Sequence, residues 1–190
     1  KVGKVITGLG VGAHLEHWGY QQGMITELDW NEEVALEQGF TIYSAPARHF
    51  SGRTFKRNTT LWSSYILATP TNRIYIGRDS GYDDHFKIIG DKFGPFDLVI
   101  LENGQYDKNW KYIHMLPEEV VKAAEDLKAK RLLPVHWSKF ALGNHPWNEP
   151  IIRVTREATA RSMEVLHPYI GEPIYFKQPF EGERWWESIA

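Results

Sequence analysis

The sequence predicts an α/β fold. Short runs rich in β-branched and aromatic residues alternate with longer stretches of helical period, as in strands joined by crossover helices. Leu98 to Leu101 is apolar at every position, the pattern of a strand covered on both faces. The clearest helical stretch, Pro117 to about Lys130, lies between that run and the next apolar run.

Val5 to Leu9 reads as a short strand entering the turn GLGVG, with Ala13 to Trp18 as a short helix behind it. The Gly-x-Gly-x-Gly run lacks the full dinucleotide spacing and the Lys-Ser/Thr of a P-loop, so a strand-to-helix turn is expected. Met24–Leu28, Glu33–Gln38 and Phe40–Ser44 follow as strands. Pro46 stops the last of them, because proline donates no ladder bond. Leu61–Thr69 and Arg73–Ile76, joined by Pro-Thr-Asn, predict a hairpin. Asp84–Lys92 reads as a helix. In the Pro117 helix, proline suits the first position, Glu118 and Glu119 complement the positive end of the dipole, and Val120, Ala124 and Leu127 form the apolar stripe. Leu132–Val135 is the next strand and Ile151 to about Leu166 the last helix, with Ile174–Phe176 as an edge strand. Trp185 and Trp186 read as packing residues, with a membrane-interface contact as the alternative.

A chain of 190 residues suits a single domain spanning 1–190. Its 42% hydrophobic and 14% aromatic content argues for a packed body and against disorder. The net charge of -2, with Lys and Arg scattered, gives no footprint for nucleic acid. Absence of cysteine excludes disulfides and thiolate ligands, so any metal must be held by imidazole and carboxylate. No apolar run approaches the roughly 18 residues of a membrane span. The opening KVGKVITGLG carries neither Met nor a signal-peptide pattern, which suggests a processed or truncated product; location is open, with a cytoplasmic lean.

Three metal-capable residues each follow an apolar run: His49 in SAPARHFSGR, Asp79 in YIGRDSGY and His136 in LLPVHWSKF. Neutral imidazole suits zinc and a carboxylate can bridge two cations, so strands delivering these three to one sheet edge would form part of a metal site. Taken singly, each has a bland reading as a structural or solvent-exposed residue.

ARHFSGR, GRDSGY and PVHWSKF occur in this order, accompanied by GVGAHLEHWG, ELDWNEE, TLWSSYIL, FGPFDLVIL, YDKNW, HMLPEEVV and NHPWNEP. Together, over about residues 8 to 150, they resemble the later motifs of the metallo-β-lactamase superfamily. The branch most resembled contains N-acyl-phosphatidylethanolamine phospholipase D and its bacterial relatives. The resemblance implies an αβ/βα sandwich with two zinc ions in a cleft at its edge. By the same resemblance His49 completes one zinc site, Asp79 bridges the ions, and His136 completes the other.

The family's upstream His-x-His-x-Asp-His motif is absent from these residues. The expectation is therefore an incomplete sandwich, the C-terminal part of a hydrolase, inactive alone. A preceding segment or a homo-oligomer partner would supply the other ligands. The implied reaction is attack of a zinc-held hydroxide on an N-acyl phospholipid-like phosphodiester, with peripheral membrane contact. A lactone or ester substrate, or a noncatalytic fragment, is the alternative.

By the same resemblance His114 in HMLPEE would be an active-site histidine that transfers protons or positions substrate; the bland reading is packing on Trp110 or Met115. His14 and His17 share a helix face, outside any ligand segment of the family, and His85, His145 and His167 have no evident partner. LENGQYDKNW departs from the branch, since Glu102 and Gln105 would make a cleft wall more polar.

Overall fold

The computed structural model describes residues 2–52, 56–140 and 142–189. A two-stranded parallel sheet pairs β1 (Val5–Gly8) with β2 (Ile25–Leu28). Between them the chain turns through Gly10, whose φ of +84° is one that glycine adopts without steric cost, into the short helix α1 (Gly12–His17). The GLGVG run is thus a strand-to-helix turn.

Seven strands form the main sheet in sequential order: β3 (Glu33–Ala35), β4 (Thr41–Pro46), β5 (Ser63–Ala68), β6 (Arg73–Ile76), β7 (Leu98–Glu102), β8 (Arg131–Val135) and β9 (Glu164–Val165). The first four pair antiparallel. From β6 onward all pairing is parallel, through crossovers carrying α2 (His85–Phe93), α3 (Pro117–Asp126) and α4 (Glu149–Ala160). The hairpin between β5 and β6 is tied by Thr69, whose N–H donates to Asn72 O at 2.9 Å and whose Oγ1 accepts the Asn72 N–H at 2.8 Å.

Register explains the core. Tyr43, Ile66, Tyr75, Val99, Leu132 and Val165 are successive cross-strand partners and so share one face. Phe86 and Ile89 of α2, Val120 and Ala124 of α3, and Ile151 and Val154 of α4 join them in the main cluster. The alternate row, Tyr65, Ile76, Ile100 and Leu133, faces the other way; it is only half-buried, with Ile76 38% exposed. Arg153 of α4 fastens α3 and the loop after β7: it donates to Glu118 at 2.6 Å and to Glu149 at 2.9 Å, and Glu149 accepts the Tyr106 hydroxyl at 2.7 Å.

Several boundaries differ from expectation. β4 runs through Pro46, which pairs with Ser63 as the last residue of the ladder, where a missing donor costs least. The strand expected to reach Gln38 ends at Ala35, and Gln38 takes φ of 59° inside a single 3-10 turn. α3 stops at Asp126, not near Lys130: Lys128 has φ of 57°, and Ala129 bridges to Phe96. α4 begins at Glu149 and ends at Ala160, where Ser162 with φ of 57° turns the chain into β9. Ile174–Phe176 forms no strand. Trp185 and Trp186 pack as expected: Trp185 stacks on Trp137 at 5.1 Å between ring centroids, and Trp186 is 1% exposed.

Candidate metal centre

Topology brings the sequence-selected residues to one edge. Two antiparallel steps, β4 to β5 and β5 to β6, leave β4 parallel to β6, and β7 and β8 run the same way. The carboxyl ends of all four strands therefore open on the same side, where ligand sites of α/β sheets form. His49 follows β4, Asp79 follows β6, Glu102 ends β7 and His136 follows β8.

The β4 and β6 loops are stitched together beside the ligand candidates. Ser80, 2% exposed, accepts the Arg48 N–H on Oγ at 2.9 Å and donates to Gly81 O at 3.0 Å. Gly81 N–H returns to Arg48 O at 2.9 Å, and the Arg48 guanidinium donates to Tyr82 O and pairs with Asp83 at 3.0 Å. His49 and Asp79 are thereby held on neighbouring loops. His49 Nδ1 lies 2.8 Å from Phe50 O. A carbonyl only accepts, so Nδ1 carries the proton and Nε2 keeps its lone pair in the neutral ring.

His136 adopts φ of +66° and Ser138 φ of +72°, a bend uncommon for residues with a Cβ. Trp137 between them is anchored by its indole N–H to Pro134 O at 3.0 Å and by the stack on Trp185. A Cβ on Gly104, just past β7, would overlap His136 O, so only glycine permits these strand ends to approach this closely.

His136 Nε2 stands 3.4 Å from Asp79 Oδ1. The His114 ring lies edge-on to His49 at 5.4 Å and to His136 at 6.2 Å between centroids, which places His114 beside both. Partial burial works against the Asp79 carboxylate, but the His136 hydrogen bond and the charges of His136, His114 and His49 outweigh it and hold Asp79 below the ordinary carboxylate range. The Asp79 hydrogen bond raises His136 above the usual imidazole range, against the opposing effect of burial.

The donor chemistry suits zinc, yet the coordination shell is partial. Among the described residues no group of three or more His, Asp or Glu side chains is arranged to hold a metal ion. Asp79 and His136 are adjacent donors, and His49 shares a cleft with Asp79. That cleft, about 810 Å³, is lined by His49, Phe50, Lys56, Trp62, Arg78 and Asp79, together with His14 and Trp18 of the α1 segment. His114 and His136 lie off its lining.

Some participants were not legible in the sequence. Glu102 and Gln105 do not line the cleft; both are buried, and Gln105 bonds Phe140 O and Leu142 N–H at 3.0 and 3.2 Å. Ser80 stands beside Asp79 in GRDSGY, but no local pattern marks its bond to the Arg48 loop. Partners also emerge for the unassigned histidines. His145 stacks on Tyr106 at 4.1 Å, His167 meets Trp186 edge-on at 4.8 Å, and His85 packs on Phe86 at 4.0 Å.

A mixed sheet with helical crossovers on one face and imidazole and carboxylate donors at its carboxyl edge defines a class. Residues 2–137 match the family model described as the Beta-lactamase superfamily domain, and the chain belongs to that superfamily. It is 44% identical over 181 residues to an uncharacterized protein of Mycobacterium tuberculosis, covering 94% of this chain and 48% of that protein. It is 33% identical over 143 residues to N-acyl-phosphatidylethanolamine-hydrolyzing phospholipase D 1 of Caenorhabditis elegans, covering 68% of this chain and 40% of that one. The fold is similar to that of Igni18, a metallo hydrolase from Ignicoccus hospitalis, with a TM-score of 0.67 at 17% identity over 86% of this chain and 64% of that one. The chain spans about half the length of the M. tuberculosis relative.

Proposed function

We propose that this chain carries part of the active centre of a metal-dependent hydrolase, a zinc phosphodiesterase acting on N-acyl phospholipid-like substrates. The observation that carries the reading is the meeting of Asp79 and His136 at 3.4 Å, with His114 and His49 beside them at one sheet edge. The relative named as a phospholipase D supports the substrate class. Asp79 would be shared by two zinc ions, with His49 holding one and His136 the other. One imidazole per ion and a shared carboxylate fall short of a zinc shell, so the remaining ligands come from outside these 190 residues or from a second copy. Residues 1–190 then form the later part of one hydrolase unit.

Zinc, when bound, supplies Lewis acidity and neutralises charge on an anionic phosphodiester. The chain's own residues do the rest. Arg78 and Lys56 offer cations to the substrate phosphate, Trp18, Phe50 and Trp62 offer apolar surface to its lipid portion, and His114, beside His49 and His136, would transfer a proton or position the substrate. Glu102 and Gln105 bond inward, so they supply no polar wall to favour a lactone.

In the complete polypeptide, Asp79→Asn and His136→Ala are each expected to lower zinc content and to cut hydrolysis of a bis-aryl phosphodiester by more than about 100-fold, beyond the usual cost of losing a ligand's supporting partner. Full metal and turnover in both variants would exclude the reading. Lactone hydrolysis without phosphodiester cleavage would transfer the site to a lactone or ester substrate.

A further inference from the structure

Glu102 places a carboxylate where carboxylates are costly. Its side chain is 1% exposed. Oε1 accepts the Met115 N–H at 2.8 Å and lies 3.5 Å from His114 Nδ1. Oε2 is buried without a partner among the described residues, and so is His114 Nδ1. An ionised carboxylate removed from water needs donors to replace its hydration, and an orphaned buried pair of this kind calls for a functional account. The imidazole facing it has a proton to give. The 3.5 Å separation is longer than a closed hydrogen bond; such contacts are often long in empty active sites and tighten when substrate binds.

We infer that Glu102 is the positioning residue of His114, holding the proton on Nδ1 so that Nε2, on the far side of the ring, is the nitrogen that serves the reaction. The backbone supports this arrangement from both sides. His114 N–H donates to Trp110 O at 2.9 Å, and the next amide, that of Met115, is the one Glu102 captures. One carboxylate therefore fixes both the loop that carries His114 and the tautomer of its ring, as carboxylates do for histidines in many active sites. Because Glu102 ends β7, its place is set by the sheet and not by a loop. The tether stands independently of the hydrolase reading; its catalytic consequence rests on that reading.

Two measurements test it. Long-range 15N–1H correlation spectra of the chelator-treated, 15N-labelled protein, with His114 assigned through His114→Gln, report the tautomer directly. The expected result is the Nδ1–H form in the wild-type protein and a shift toward Nε2–H in Glu102→Gln, where the amide nitrogen can donate to the ring. Wild-type His114 in the Nε2–H form overturns the inference, and this outcome needs no variant to fold. In the complete polypeptide, Glu102→Gln is expected to lower kcat for a bis-aryl phosphodiester by about 10- to 100-fold while changing KM little. It should have no further effect in the His114→Gln background. Losses that multiply in the double variant overturn the positioning role. A tautomer shift in a protein without turnover upholds the tether and removes only the hydrolase reading.

Discussion

The strand-end positions of His49, Asp79 and His136 could be read from the sequence because each follows an apolar run, and a strand's end is where a fold presents chemistry. The ties made by Ser80 and Glu102 could not. Their partners, Arg48 and Met115, lie 32 and 13 residues away along the chain, and no local pattern records such a bond. Gly104 belongs with them, since its requirement is the His136 carbonyl on the neighbouring strand end. Gly104→Ala is expected to cost about 1–3 kcal/mol in urea unfolding, as overpacking does, and to reduce zinc retention by displacing His136. Unchanged stability and metal content would show that the strand ends can separate freely.

A second residue sets a pH response. Burial lowers the His85 pKa to about 4, with Arg48 acting in the same direction and Asp83 against it. The folded value lies below the unfolded value near 6.5, so the unfolded chain binds more protons between them, and stability falls as pH drops from about 6.5 to 4. Allowing for partial exposure, the loss is about 2 kcal/mol. Urea titrations of wild type and His85→Leu across that range should differ in slope, with the variant flatter; parallel curves would remove His85 as the cause.

Among the elements, helices and strands were legible where their period was sustained, and their ends were not. α3 has the signals of its start: Pro117 at the first turn, and Glu119 Oε2 accepting the Leu116 N–H at 2.9 Å. Its end is set by Lys128 and Ala129, which leave the helix so that Ala129 can bridge to Phe96, a tertiary demand invisible in KAKR. The same holds for α4, where Ser162 turns the chain so that Leu132 can pair with Val165. The tail after β9 acts as a brace: Trp185 stacks on Trp137, next to His136, and Trp186 is 1% exposed in the main core. Trp186→Ala is expected to cost about 3–5 kcal/mol in urea unfolding. A loss below about 1 kcal/mol, the level of a surface change, would show that the tail is not part of the core.

For the whole molecule, the sequence established an α/β class through its wholly apolar strand and its alternating elements, and the parallel half of the sheet follows that pattern. In the antiparallel half the β5–β6 hairpin was marked by its Pro-Thr-Asn turn, while the pairing of β4 with β5 depends on long-range register that short apolar runs do not encode. One face of the sheet is closed by α2, α3 and α4, while the Ile76, Ile100 and Leu133 row on the other is half-covered. The donor set has the same character: chemically apt, and short of a closed shell among the described residues.

The most direct measurement is an anomalous-difference map, collected at the zinc edge, from crystals of the complete polypeptide grown with zinc. Two peaks joined by the Asp79 carboxylate are expected, one touching His49 and the other His136. Zinc bound elsewhere, with these three side chains uncoordinated, would contradict the proposed centre.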